Sequence, residues 1–309
     1  MIEVCGLTKR YGRHTAVDNI SFTAAPGEIV GFLGPNGAGK TTTMNCVTGY
    51  TAATSGEVKI CGLDILAEPE KAKVNIGYLP DTPPVYGDMR VDEYLNFAAD
   101  IKKVGKGRWE MLESIKKQVS IDDVSRRLVK NLSRGYKQRL GLAQAMVGEP
   151  KVIIMDEPTI GLDPKQIIEM REVIKNLGKK YTVMFSSHIM QEVSAVCDRV
   201  MIINRGRIVA SDAVSGIGSV RPKMQVIVKG EQKKVLEAIK KYTVIECVKA
   251  ETGRESGTVE LILTGNGSDI REIIFTCMAE NNFPILMMKP AEKTLEEIFL
   301  SLTGGGDGK

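Results

Sequence analysis

Nine consecutive residues, Gly34-Pro35-Asn36-Gly37-Ala38-Gly39-Lys40-Thr41-Thr42, have the types and spacing to hold a polyphosphate. They satisfy the pattern G-x-x-x-x-G-K-[ST] at Gly34, Gly39, Lys40 and Thr41. Glycines let a backbone close around an anion without a Cβ in the way, and N–H groups leading into a helix N-terminus add positive potential. In such a loop Lys40 reaches the β- and γ-phosphates, and the Thr41 hydroxyl holds Mg²⁺. A second chemical pair, Asp156-Glu157, follows the apolar run Val152-Ile153-Ile154-Met155. A carboxylate at the C-terminal end of a buried parallel strand faces the ligand crevice. Asp156 there supports Mg²⁺, and Glu157 is placed to polarise a water for in-line attack on the γ-phosphate. Tyr11, in Thr8-Lys9-Arg10-Tyr11-Gly12, could stack on an adenine ring or serve as an ordinary strand tyrosine.

These groups need a scaffold, and the hydrophobic pattern supplies one. Ile29-Val30-Gly31-Phe32-Leu33 reads as a buried strand before the phosphate loop, and residues 42–47 as the first turns of a helix after it. Short alternating runs (Ile2-Glu3-Val4, Ala16-Val17, Ile20-Ser21-Phe22, Val58-Lys59-Ile60) predict an antiparallel sheet around that loop. Residues 76–80 form a strand ended by proline, and 81–87 a loop. From Val91 the apolar residues recur at three and four, so a mainly helical insertion is expected over about 85–145. Ser133 is a good N-cap for its last helix. Strand 152–155, helix 164–177, strand 182–185 and a hairpin through Asn204-Arg205-Gly206-Arg207 complete a mostly parallel sheet with helices on both faces. A Gly/Ser-containing connector follows over 216–223. Residues 224–303 then repeat the order β-α-β-β-α-β of a small ferredoxin-like α+β domain, with a last short amphipathic helix over 294–302. Residues 304–309 read as a disordered tail.

Composition narrows the class. The chain has 309 residues, enough for two domains. A hydrophobic share of 43% supports a sizeable core. The net charge of +4 is too small to argue for nucleic acid, and none is expected as a partner. The N-terminus reads as a strand, not a secretory signal. No apolar run approaches the ~20 residues needed to cross a bilayer, so any membrane spans must come from another polypeptide. The six cysteines fall in no C-x-x-C pair or zinc-like spacing and read as reduced thiols.

Leu132-Ser133-Arg134-Gly135-Tyr136-Lys137-Gln138-Arg139 resembles the signature motif of ATP-binding cassette (ABC) ATPases. Val152 to Glu157 with Pro158-Thr159 resembles their Walker B strand, Gly161-Leu162-Asp163-Pro164 their D-loop, and Ser186-Ser187-His188 their switch histidine. The resemblance covers residues 1 to about 215. It implies an α/β fold, a P-loop NTPase with a RecA-like parallel-sheet core, an N-terminal antiparallel β subdomain and a helical subdomain. The small C-terminal α+β domain is appended to that core.

The resemblance also implies roles. Tyr11 stacks on adenine, and Gly34, Pro35, Asn36, Gly37, Ala38, Gly39, Lys40, Thr41 and Thr42 bind the phosphates. Thr41 and Asp156 serve Mg²⁺, Glu157 is the catalytic base, and His188 contacts the γ-phosphate and the attacking water. Ser133 and Gly135 close over ATP bound to the opposite subunit, and Asp163 signals across the dimer. Asp81 stands where the family carries a longer glutamine or glutamate, so a bridging water is expected between it and the metal. Arg134 and Tyr136 replace the usual glycine and glutamine. Arg134 is expected to face solvent, as most arginines do, the alternative being added charge near the γ-phosphate.

The implied cofactors are ATP and Mg²⁺. The implied partners are a second ATPase subunit and a membrane permease. The implied location is the cytoplasmic face of a membrane, and the insertion and C-terminal domain resemble exporter-type bacterial ATPases. A soluble ABC ATPase acting on ribosomes or DNA is the alternative. One phosphate loop in place of two cassettes counts against the ribosome, and the short Lys40-to-Asp156 interval, with no room for a coiled coil, counts against DNA. A regulatory module that binds ATP without turnover is disfavoured by Glu157 and His188, and a GTPase by the lack of an N-K-x-D run.

Overall fold

The computed structural model describes residues 1–213, 223–242, 244–253, 255–265 and 270–290. Most of the connector, the helix expected over 294–302 and the tail lie outside the described residues. The chain divides into two compact units, Met1–Val214 and Ser215–Lys309.

The first unit opens with two long strands, β1 (Ile2–Tyr11) and β2 (His14–Ala24), then β3 (Ile29–Leu33) and helix α1 (Lys40–Val47). β4 (Ser55–Ile60), the two-residue β5 (Leu63–Asp64), α2 (Pro69–Val74) and β6 (Ile76–Leu79) follow. Three helices come next, α3 (Val91–Ile101), α4 (Arg108–Gln118) and α5 (Arg134–Met146). The unit then alternates: β7 (Val152–Met155), α6 (Pro164–Leu177), β8 (Thr182–Ser187), α7 (Met190–Val196), β9 (Arg199–Asn204) and β10 (Arg207–Ala213).

Two sheets share this unit. One is antiparallel with order β2-β1-β4-β5, and the other has order β10-β9-β3-β8-β7-β6. In the second, β9, β3, β8, β7 and β6 are all parallel, with β10 antiparallel at the edge. β7 and β3 are buried at every position, which explains their unbroken apolar runs: a parallel strand is covered on both faces. β1 and β2 are instead half-exposed and alternate. One core joins the sheets, with Ile2, Val4 and Phe22 packing with Phe32, Met44, Val152 and Ile154. The parallel strands β3, β7 and β8 therefore end side by side, and each carries a piece of the candidate site at its C-terminal end.

The second unit runs β11 (Lys223–Lys229), α8 (Gln232–Lys240), β12 (Ile245–Thr252), β13 (Thr258–Gly265), α9 (Arg271–Glu280) and β14 (Ile285–Pro290). Its sheet has order β12-β13-β11-β14 and is antiparallel throughout. That order with those crossovers is the ferredoxin-like arrangement. Val226, Leu261 and Leu263 pack against Val235, Ile239, Ile274 and Met278 of the two helices.

Candidate functional site

The phosphate loop leaves β3 and enters α1. Gly39 sits at the helix N-cap with φ 106°, a conformation that L side chains rarely adopt. A methyl group there would also lie 2.5 Å from the carbonyl oxygen of Ala16, so only glycine fits between this loop and β2. Lys40 folds back over the loop and donates to the carbonyl oxygens of Gly34 at 2.8 Å and Pro35 at 3.3 Å. Its Nζ also lies 3.2 Å from Glu157 Oε1.

Glu157 is the first residue beyond β7 and Asp156. It has φ 48°, unusual for a residue with a side chain, and is 8% exposed. The strain is held by a buried hydroxyl: Ser186 Oγ on the neighbouring β8 accepts from the Glu157 N–H at 2.9 Å and donates to Asp156 Oδ1. Glu157 Oε2 lies 2.9 Å from His188 Nδ1, at the end of β8. Lys40, Glu157 and His188 thus form a continuous chain from ammonium to carboxylate to imidazole.

Asp156 is 1% exposed, and its N–H donates to Leu79 O at 2.8 Å, fixing β7 beside β6. Burial pushes its carboxyl above the usual range. The Ser186 and Thr41 hydroxyls pull it back, while the negative Asp81 and Glu157 push it up again. Among the described residues no group of three or more His, Cys, Asp or Glu side chains could hold a metal by itself; the Asp156 carboxyl beside the Thr41 hydroxyl offers two oxygens, which fits Mg²⁺ only as a partner of a bound phosphate. Asp81 is exposed, and its Oδ1 accepts from the Thr82 N–H at 2.6 Å.

A cleft of about 590 Å³ opens over these groups. Tyr11, Asn36, Gly37, Gly39, Lys40, Thr41, Thr42, Asp81, Glu157 and His188 line it. Tyr11 is half-exposed at its rim, with Lys9 Nζ 4.9 Å from the ring centroid. Gly34 and Ala38 are buried beneath the loop and Pro35 is half-buried. Ser133, Gly135 and Asp163 do not line this cleft. Ser133 caps α5, accepting from the Tyr136 N–H at 3.4 Å. Asp163 caps α6, accepting from the Gln166 N–H at 2.9 Å while the Gln166 side chain returns to the Asp163 N–H. The two caps belong to turns that pack on each other, since Gly135 lies against the Gln166 side chain.

The sequence reasoning missed several members. His14, Ala16 and Ile160 also line the cleft. Behind it, the buried Glu192 on α7 accepts from Thr159 at 2.6 Å and Ser187 at 2.8 Å. α7 is seven residues long, too short for a periodic signal. His14 follows a turn after Tyr11 and is the second of only two histidines, the one signal that could have flagged it.

Comparison with known proteins places this geometry. The ABC transporter family model matches residues 17–160. An ABC transporter ATP-binding protein of Bacillus subtilis (strain 168), YhcH, is 40% identical over 212 residues, 68% of this chain and 68% of the relative. The bacitracin transport ATP-binding protein BcrA of Bacillus licheniformis is 30% identical over 309 residues, 99% of this chain and 98% of the relative. A solved ATP-binding subunit of an ABC transporter superposes with TM-score 0.64 at 28% identity, covering 70% of this chain and 91% of that one. The relatives are transporter subunits, which sets aside the ribosome- or DNA-associated alternative. A loop built for phosphate, a buried carboxylate pair and a histidine at the adjoining strand end lie in a cassette shared along its whole length with such subunits; the chain belongs to the ATP-binding subunits of ABC transporters.

Proposed function

We propose that this chain binds ATP with Mg²⁺ in the cleft over residues 34–42 and hydrolyses it to drive an exporter. The observation that carries the reading is the Lys40–Glu157–His188 chain, which brings a phosphate-binding cation, a base and an imidazole to one cleft. The loop N–H groups and Lys40 bind the triphosphate, Tyr11 stacks on the adenine ring, and Glu157 takes a proton from the attacking water while His188 contacts that water and the γ-phosphate. Thr41 and Asp156 would hold Mg²⁺, with Asp81 reaching it through water; when bound, the ion would supply neutralisation of phosphate charge. Residues 1–215 form the ATPase domain, with the helical subdomain over about 85–145, and residues 224–303 form an appended α+β domain.

Ser133 and Gly135 lie outside their own chain's cleft, which supports a head-to-tail pair in which each signature turn closes on the partner's ATP and Asp163 faces the interface. ATP then holds two subunits together, and hydrolysis releases them. Closure moves a separate membrane permease. Among the described residues no helix is long and apolar enough to cross a membrane. The likeness to transport ATP-binding proteins is what supports a place beside a permease on the cytoplasmic face. The bacitracin transport relative, similar over the full chain, supports a role in transport by a separate permease. The test is Glu157→Gln. It is expected to bind ATP, form a stable dimer on gel filtration and release little phosphate. Wild-type turnover in that variant would remove Glu157 from its role.

A further inference from the structure

The turn between β9 and β10 touches both halves of the nucleotide cleft. The two strands close on Asn204 paired with Arg207, which leaves Arg205 and Gly206 between them. Both have positive φ, 48° and 78°, as a tight two-residue hairpin turn requires. Such a turn is closed by its flanking residues, so the peptide groups of Gly206 are free to bond elsewhere. The Gly206 N–H donates to Ala38 O in the phosphate loop at 2.9 Å, and Gly206 O accepts from the Asp18 N–H on β2 at 2.8 Å. Arg207 adds an ion pair to Asp18 at 2.6 Å. One residue therefore ties the loop after β3 to the middle of β2.

β2 begins at His14, the cross-strand partner of Tyr11. Directly opposed residues send their side chains to the same face of a sheet, and both of these rings line the cleft. Ala16, between His14 and Asp18, lines it too. The packing here has no slack. A methyl group on Gly206 would lie 2.8 Å from Ala16 O and 3.2 Å from Ala16 C and Val17 Cα, all backbone atoms. A methyl group on Gly39 would meet the same Ala16 oxygen. Three stretches of backbone, at 16–18, 38–39 and 206, thus meet in direct contact. The span from the phosphate loop to the ring pair is fixed at this junction.

We propose that Gly206 is a positioning residue for nucleotide binding. It sets the distance between the phosphate loop and the Tyr11–His14 pair, and so selects a ligand that reaches both, a nucleoside polyphosphate, over bare polyphosphate. The inference rests on the function proposed above and deepens it: the discrimination is built into the backbone of a turn that lies outside the residues lining the cleft.

The experiment uses the full chain and calorimetric titration in Mg²⁺ with two ligands: ADP, which spans loop and rings, and pyrophosphate, which occupies the loop alone. Gly206→Ala, whose methyl pushes on Ala16, is expected to weaken ADP about tenfold, within the range of a lost base stack, and pyrophosphate by less than about twofold. In phosphate release, KM for ATP should rise about tenfold with kcat within about twofold. In a Tyr11→Ala background, Gly206→Ala should cost ADP nothing further, since the contact it misplaces is already gone. Gly206→Asn tolerates the positive φ but still brings a Cβ against Ala16, so it should match Gly206→Ala and keeps the test decisive where alanine harms folding. Equal weakening of both ligands would make the turn a prop for the phosphate loop alone and overturn the proposal. So would unaltered ADP affinity, an additive loss with Tyr11→Ala, or a loss seen with alanine and absent with asparagine. A parent chain that does not bind ADP would instead remove the nucleotide-binding reading itself.

Discussion

Lys40, Lys116, Arg139, Asp156, Glu157 and Glu192 are all less than a tenth exposed and all lie in Met1–Val214, whereas the buried polar residues described in the second unit are two threonines, Thr258 and Thr264. An interior charge is costly unless it is paired, so the contrast separates two uses of a core. Lys116 is satisfied by Asp92 and Glu113, and Arg139 by Glu169, which makes these pairs structural. Lys40, Asp156, Glu157 and Glu192 instead gather at the C-terminal ends of β7 and β8 and just beyond β3. Four charges gather in one place, and two of them, Lys40 and Glu157, line the cleft; among the described residues the buried side chains of the second unit are apolar apart from the two threonines.

The sharpest way to break this contrast is at Glu157. Glu157→Gln is expected to lower phosphate release by about a thousandfold, the scale of a lost general base, with the melting temperature little changed. A large stability change in its place would make Glu157 a structural residue like Lys116. The counterpart in the second unit is Leu261, fully buried in the middle of its sheet. Leu261→Ala should destabilise that unit by about 3 kcal/mol through the cavity left behind, while ATP affinity measured by fluorescence titration stays at the wild-type value.

Ser186→Ala sharpens the comparison from within the first unit. It removes the acceptor for the Glu157 N–H and the donor to Asp156 at once. A loss of about 2 kcal/mol in thermal or urea unfolding is expected, together with reduced kcat, because a buried N–H is left unpaired. The smallest effect is expected at Glu28, which joins the turn after β2 to Arg199 on β9 and accepts from the Ala25 N–H. Burial raises its carboxyl, but the Arg199 guanidinium and the Ala25 N–H outweigh burial and hold it below 4.5. A lowered folded-state value stabilises the ionised fold. That contribution is present above pH 4.5 and is lost as pH falls through the lower folded-state value. Glu28→Gln should cost about 1 kcal/mol at pH 7 and progressively less as pH falls below 4.5, read from unfolding curves across that range.

Much of this was legible in the chain. Val152-Ile153-Ile154-Met155 announced a doubly covered strand because a parallel core leaves no polar face, and the helix expected over 164–177 has those limits because Asp163 and Pro164 begin it. Lys40, Asp156 and Glu157 stood out in the sequence because a phosphate loop and a strand-end carboxylate have fixed residue types and spacing, while His188 stood out only through the family resemblance; the structure brings Lys40, Glu157 and His188 to one cleft. Ser186 and Glu192 were not, since a serine and a glutamate carry no periodicity, and their importance lies in partners 29 to 33 residues away. The bonds of Gly206 to Ala38 and Asp18 were illegible for the same reason. The register shifts of β1 against β2, at Val4/Leu7, Leu7/Lys9 and Lys9/Arg10, likewise leave no trace in composition.

The two oxygens of Glu157 are each already engaged, one by an ammonium and one by an imidazole. A carboxylate gripped on both sides is held in one orientation, and neither oxygen can turn without giving up a partner. On the function proposed above, a triphosphate in the cleft competes for both grips, and Glu157 is released to turn only as the nucleotide is seated; one side chain then ties the timing of the chemistry to the filling of the cleft.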